Sequence, residues 1–131
     1  MLSGEHVQTM MQTLVGALSP SLVYLFGSES KGTARPDSDI DIAYVSETKL
    51  DAYERFLLAQ QLASLMNRDV DLIDLDEAST VMQMEIISQG TPIYCKDPSL
   101  RQARASRVYK MYARLNEERR DILQRILQGG C

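Results

Sequence analysis

Leu25-Phe26-Gly27-Ser28-Glu29-Ser30-Lys31-Gly32-Thr33-Ala34-Arg35-Pro36-Asp37-Ser38-Asp39-Ile40-Asp41-Ile42 joins two β-type runs through a Gly-Ser turn. An apolar run, Leu22 to Phe26, ends at Gly27-Ser28, and a second β-type run opens at Asp39 after ten further residues. Residues two apart on a strand point the same way, so Asp39 and Asp41 share one face about 6.6 Å apart. Ile40, Ile42 and Tyr44 supply the opposite, buried face. Asp is depleted in strands, so two acids on one strand face call for a chemical reason. Carboxylates at that separation can grip a shared pair of Mg²⁺ ions. The Gly-Ser turn offers bare backbone N–H groups and a hydroxyl, which suit a triphosphate. A phosphate cradle beside a metal site points to nucleotidyl transfer.

Outward from this stretch the chain alternates helix and strand. Val7, Met10, Met11, Leu14 and Leu18 recur at spacings of three and four, which predicts a helix over 4–18, stopped by Pro20. Strands are expected over 22–26, 39–45, 70–75 and 91–95. A second helix over about 50–66 is expected to bury Tyr53, Phe56, Leu57, Gln60 and the Leu65 side, with Asn67-Arg68 ending it. A third runs over about 77–88 and closes at Gly90, a residue suited to a left-handed cap. Asp97-Pro98 reads as an N-cap followed by Pro at the first helical position, opening a long last helix over about 98–128. The layout predicts an α/β (α+β) fold, a small mixed β-sheet with helices packed mainly on one face. The 131 residues are read as a single domain, 1–131, with a core over about 1–96.

Hydrophobic residues make up 44% and charged residues 24%, a soluble globular balance with no apolar run of membrane-spanning length. The N-terminus does not read as a signal peptide, and Cys95 and Cys131 make no disulfide framework, so a reducing cytoplasm is expected. His6 is the only histidine, which argues against a histidine-based zinc site or catalytic triad. The Met residues 10, 11, 82 and 84 read as core filler. Net charge is −4, unevenly spread: residues 1–96 hold six Lys/Arg against 14 Asp/Glu, and residues 97–131 hold eight against four. On the last helix Val108, Met111, Tyr112, Leu115, Ile122, Leu123 and Ile126 form one stripe, with Arg101, Arg104, Arg107, Lys110 and Arg114 among the residues around it. The plain reading is a helix docked by its stripe with a solvated charged face. The sharper one is a docking surface for an acidic partner or RNA, although only Tyr109 and Tyr112 supply rings for stacking.

Two-metal nucleotidyl transfer usually employs a third acid. The third strand offers Asp69, Asp71, Asp74 and Asp76. Asp71 lies inside the strand, facing opposite to Val70 and Leu72, and is the candidate third acid. Asp69 shares its facing at the strand entrance, and Asp74 and Asp76 read as solvated loop or helix N-terminal acids. Ser38 either touches a phosphate or favours the turn. Arg35 either clamps phosphate or faces solvent.

These residues resemble the signature of the polymerase-β-like nucleotidyltransferase superfamily, a Gly-Ser, a spacer and Asp-x-Asp. The wording from Gly32 to Asp41 is most similar to the minimal nucleotidyltransferase (MNT) branch. The resemblance covers roughly the first 95 residues. Val70-Asp71-Leu72 matches the family's hydrophobic-Asp-hydrophobic third-strand element. Many relatives carry an Arg soon after the Gly-Ser, where this chain has Glu29, Ser30 and Lys31; Lys31 or Arg35 stand as substitutes. The resemblance implies catalytic and metal residues Asp39, Asp41 and Asp71, nucleotide-binding residues Gly27, Ser28, Ser38 and Arg35, two Mg²⁺ ions, and ATP as substrate. It implies an MNT antitoxin that transfers AMP onto a hydroxyl, typically a tyrosine, of a cognate HEPN RNase toxin. Neither membrane nor direct nucleic-acid binding is expected. The alternatives are a non-catalytic antitoxin that blocks its toxin by binding, and an enzyme acting on a small molecule such as an aminoglycoside.

Overall fold

The structure, a computed structural model, describes residues 3–27 and 39–128, with side chains as far as residue 121. In order the elements are α1 (Gly4–Leu18), β1 (Leu22–Phe26), β2 (Ile40–Val45), α2 (Ala52–Met66), β3 (Val70–Asp74), a 3-10 turn (Leu75–Glu77), α3 (Thr80–Gln89), β4 (Thr91–Cys95) and α4 (Pro98–Gln128). The strands form one sheet in the order β3-β2-β1-β4. β1 is antiparallel to β2 and β4, and β2 is parallel to β3, so the sheet is mixed as expected.

Alternation along the strands divides the core. Val23, Leu25, Ile40, Ile42, Tyr44 and Leu72 turn to one face, where α1 brings Met10, Leu14 and Leu18 and α2 brings Leu58, Ala59, Leu62 and Met66. Leu22, Tyr24, Ala43 and Val45 turn to the other, where they meet Leu75 and, from α3, Ile86. The first cluster has 13 buried residues and the second six, so most of the helix packing lies on one face. The thinner second layer is α3, with α4 against it.

The helix ends follow local chemistry. Ser3 caps α1 and His6 closes a capping box with it, so the lone histidine serves the helix terminus. Asp51 and Glu54 form the same device on α2, and Asn67 ends that helix at φ 54°. The Asp97 carboxylate accepts from Ser99 N–H at 2.9 Å at the start of α4.

Three local expectations are corrected. The α2 face is reversed: Tyr53, Phe56 and Leu57 are 68%, 56% and 48% exposed, and Gln60 and Leu65 are exposed as well. Leu58, Ala59, Leu62 and Met66 form an equally regular stripe, and they are the residues that meet α1 and the sheet. Gly90 is not left-handed, with φ −75° and ψ 160°. Glycine is needed there because a Cβ would collide with the carbonyl oxygens of Ile86 and Leu25. Finally, α3 starts at Thr80, because Asp74 caps the preceding 3-10 turn through the Asp76 N–H and Ser79 caps α3 through the Met82 N–H.

Candidate functional site

Gly27 ends β1 at φ +68°, a left-handed conformation that glycine adopts without steric penalty. Phe26 pairs with Asp41 across the β1–β2 ladder, which brings the turn against that aspartate. A Cβ on Gly27 would overlap the Asp41 carboxylate. Both turn geometry and space therefore require glycine at 27.

Asp41 and Asp71 are direct partners in the parallel β2–β3 ladder and so share a face of the sheet. Asp39 stands just before β2 on the same side. Burial pushes the Asp41 carboxyl above its ordinary range, and the charges of Asp71 and then Asp39 push it further the same way. Asp41 is half-buried, whereas Asp39 and Asp71 are exposed. The Ile40 N–H donates to the Asp69 carbonyl at 2.8 Å, which fixes the strand entrance and places a fourth acid, Asp69, beside Asp39.

The donor set fits a hard divalent cation. It is all oxygen, it stands on adjacent strands, and Asp41 carries like-charge repulsion that a cation would relieve. Among the described residues, no three acidic, His or Cys side chains already stand at metal-binding distance. The exposed Asp39 and Asp71 would have to rotate to complete a coordination shell. Ser28, Arg35 and Ser38, with the alternative Lys31, lie outside the described residues.

Asp74 and Asp76, read as solvated loop or helix N-terminal acids, do stand at the N-terminus of the 3-10 turn, and both are also tied to basic side chains. Asp74 is 2% exposed and accepts from Lys49 Nζ at 3.3 Å. Asp76 accepts from Lys49 Nζ at 3.2 Å and from the Arg104 guanidinium. Burial works against the Asp76 charge, but Arg104 and Lys49 together hold its carboxyl below the usual range. Arg104, read as part of a charged face that is either solvated or a docking surface, instead pins α4 to the turn after β3.

The cavities around α4 lie away from the carboxylates. One of about 300 Å³ and one of about 720 Å³ both include Ser21, Leu100 and Arg104, beyond the end of β1 opposite Gly27. The carboxylate face belongs instead to the other end of the strands.

The mixed sheet, with a glycine turn and acids on neighbouring strands, is a nucleotidyltransferase fold. The chain belongs to the polymerase beta nucleotidyltransferase family, whose model matches residues 8–99. It is similar to the protein adenylyltransferase MntA of Shewanella oneidensis, at 42% identity over 108 residues, 81% of this chain and 76% of the relative. Its fold matches that of a toxin–antitoxin crystal structure with AMP-PNP at a TM-score of 0.83 and 36% identity, covering 92% of this chain and 98% of the other. It also matches a complex of a tri-AMPylated Shewanella oneidensis HEPN toxin with its MNT antitoxin, at a TM-score of 0.78 and 33% identity over 94% of this chain and 97% of the other.

Proposed function

We propose that the chain is a cytoplasmic protein adenylyltransferase and an antitoxin, moving AMP from ATP to a tyrosine hydroxyl of a cognate HEPN toxin. The observation that carries this reading is the convergence of Gly27, Asp41 and Asp71 at one end of adjacent strands in a fold shared with MntA. Among the described residues no helix is long and apolar enough to cross a membrane.

The roles follow from position. Gly27 leaves room for the Asp41 carboxylate at the strand end, and its bare backbone is proposed to face the phosphates. Asp39, Asp41 and Asp71 would hold two Mg²⁺ ions, with the rest of the shell left to ATP. Bound there, the ions would supply Lewis-acid stabilisation of the charge that develops on the phosphates. Asp71, exposed on the strand beside Asp41, would take the proton of the attacking hydroxyl. The oxygen–phosphorus bond to AMP forms as the bond to pyrophosphate breaks. Ser28, Ser38 and Arg35 are assigned to the triphosphate.

Mass spectrometry of the HEPN partner after incubation with the chain, ATP and Mg²⁺ tests this. AMP-sized increments are expected, and chelation should abolish them. A toxin neutralised without any mass change would favour the binding-only antitoxin. Full transfer by a chain carrying Asp39→Asn and Asp41→Asn would overturn the site.

A further inference from the structure

β3 is an edge strand, and it is the strand that carries Asp71. Its inner side is spent on β2. Ile40 pairs with Val70 and donates to the Asp69 carbonyl, so Asp69, Asp71 and Ile73 make the inward hydrogen bonds. The backbone N–H and C=O groups of Val70, Leu72 and Asp74 then point outward. Among the described residues, the Val70 and Leu72 groups take part in no backbone hydrogen bond of the turns, loops or caps, while the Asp74 carbonyl opens the 3-10 turn.

The two edges of the sheet differ. β4 carries Pro92, which lacks a donor, and a register shift against β1; both features discourage strand addition. β3 has neither. A groove of about 370 Å³ lies against it, lined by Asp71 to Asp74 with Arg55, Glu77 and Ala78. The Arg55–Glu77 ion pair, at 2.8 Å, stands at the end beyond the strand, so the groove leads from there towards Asp71.

We propose that this edge receives the acceptor: an extended segment of the HEPN partner adds to β3 as a fifth strand and presents its tyrosine beside Asp71. The inference rests on the functional reading above. A tyrosine acceptor arrives within a polypeptide, whose backbone can pair with the outward groups of Val70 and Leu72 in any sequence context. The residue opposite Asp71 on an added strand shares its face of the sheet, and one strand spacing is about 4.8 Å. A tyrosine side chain spans that distance, so its hydroxyl comes to the carboxylates while its backbone stays on the edge.

Amide hydrogen exchange on the full chain, alone and with the unmodified HEPN partner, tests the proposal directly. The Val70 and Leu72 amides should exchange freely alone and at least tenfold more slowly in the complex. Val70→Pro removes one outward donor and no bond to β2. It should cut AMP transfer to the partner about tenfold, through the acceptor KM, with ATP binding by calorimetry unchanged. Ala78→Arg fills the groove from its wall and should do the same should the proline variant fail to fold. Transfer by wild type with no β3 protection, or with both variants at wild-type rates, overturns the edge-strand proposal and leaves adenylyl transfer standing. No transfer by wild type overturns the functional reading and this proposal together.

Discussion

Asp41 carries the clearest electrostatic cost at the level of single residues. Burial first, then Asp71 and Asp39, raise its folded pKa above the unfolded carboxylate value of about 3.9. A raised pKa means that the folded state favours the protonated form. The associated stability is present below that value and lost as pH rises through the folded pKa. Asp41→Asn is therefore expected to raise the melting temperature of the metal-free chain at pH 7 by a few degrees, with no difference from wild type near pH 3, while abolishing transfer. Calorimetry at the two pH values checks it, and an Asn variant less stable at pH 7 would contradict the assigned repulsion. Gly27→Ala acts by space instead. The left-handed φ alone costs about 1–2 kcal/mol, and the new Cβ displaces the Asp41 carboxylate. Urea unfolding should show that loss together with weakened ATP binding; a variant with normal ATP affinity would remove Gly27 from the site. The facing of Asp41 and Asp71 on their own strands was legible because it has a period of two, whereas their meeting depends on the β2–β3 pairing. The ties of Asp74 and Asp76 were not legible, because Lys49 lies 25 and 27 residues from them and Arg104 lies 28 from Asp76.

Elements were easier to find than to orient. All four long helices and all four strands stand where apolar spacing, caps and proline place them, but α2 turns the opposite face inward. Its apolar residues are spread around the helix, and only the position of α1 and the sheet selects Leu58 and Leu62 over Phe56 and Leu57. A similar limit applied to α4, where every arginine looked alike in sequence. Arg104 is mostly covered and pairs with Asp76, whereas Arg114 and Glu118 are 82% and 62% exposed at 3.7 Å. Arg104→Ala is therefore expected to lower stability by about 1 kcal/mol, and Arg114→Ala by almost nothing. The pH dependence has the opposite sign to that of Asp41. Because Asp76 is depressed in the folded state, its contribution is present above the ordinary carboxylate pKa and lost as pH falls through the folded value. The gap between Arg104→Ala and wild type should close in strong acid. A gap that persists there would mean that the arginine stem, not its charge, holds α4.

Charge divides the whole molecule in the way the sequence suggested, with an acidic core and a basic last helix. The structure gives that division a length scale. α4 has 31 residues, about 46 Å, while α3 beside it has 10, about 15 Å. From Asn116 to Asp121 every residue is exposed, so this part of α4 bears charge without packing against the described residues. Such a charged arm acts on a partner before contact, through the rate of encounter more than through the final affinity. Arg104 must be spared in a test, since it anchors the helix. Arg107→Glu, Arg114→Glu and Arg119→Glu together should leave melting temperature and ATP binding unchanged. At low ionic strength, association with an acidic surface of the HEPN partner should slow about tenfold. In 1 M salt, where the screening length is about 3 Å, the triple variant and wild type should associate at the same rate. Stopped-flow association at the two salt concentrations decides the matter. Equal rates at low salt would reduce the basic helix to scaffold, whereas a deficit that survives high salt would mean that these arginines make direct contacts in the complex.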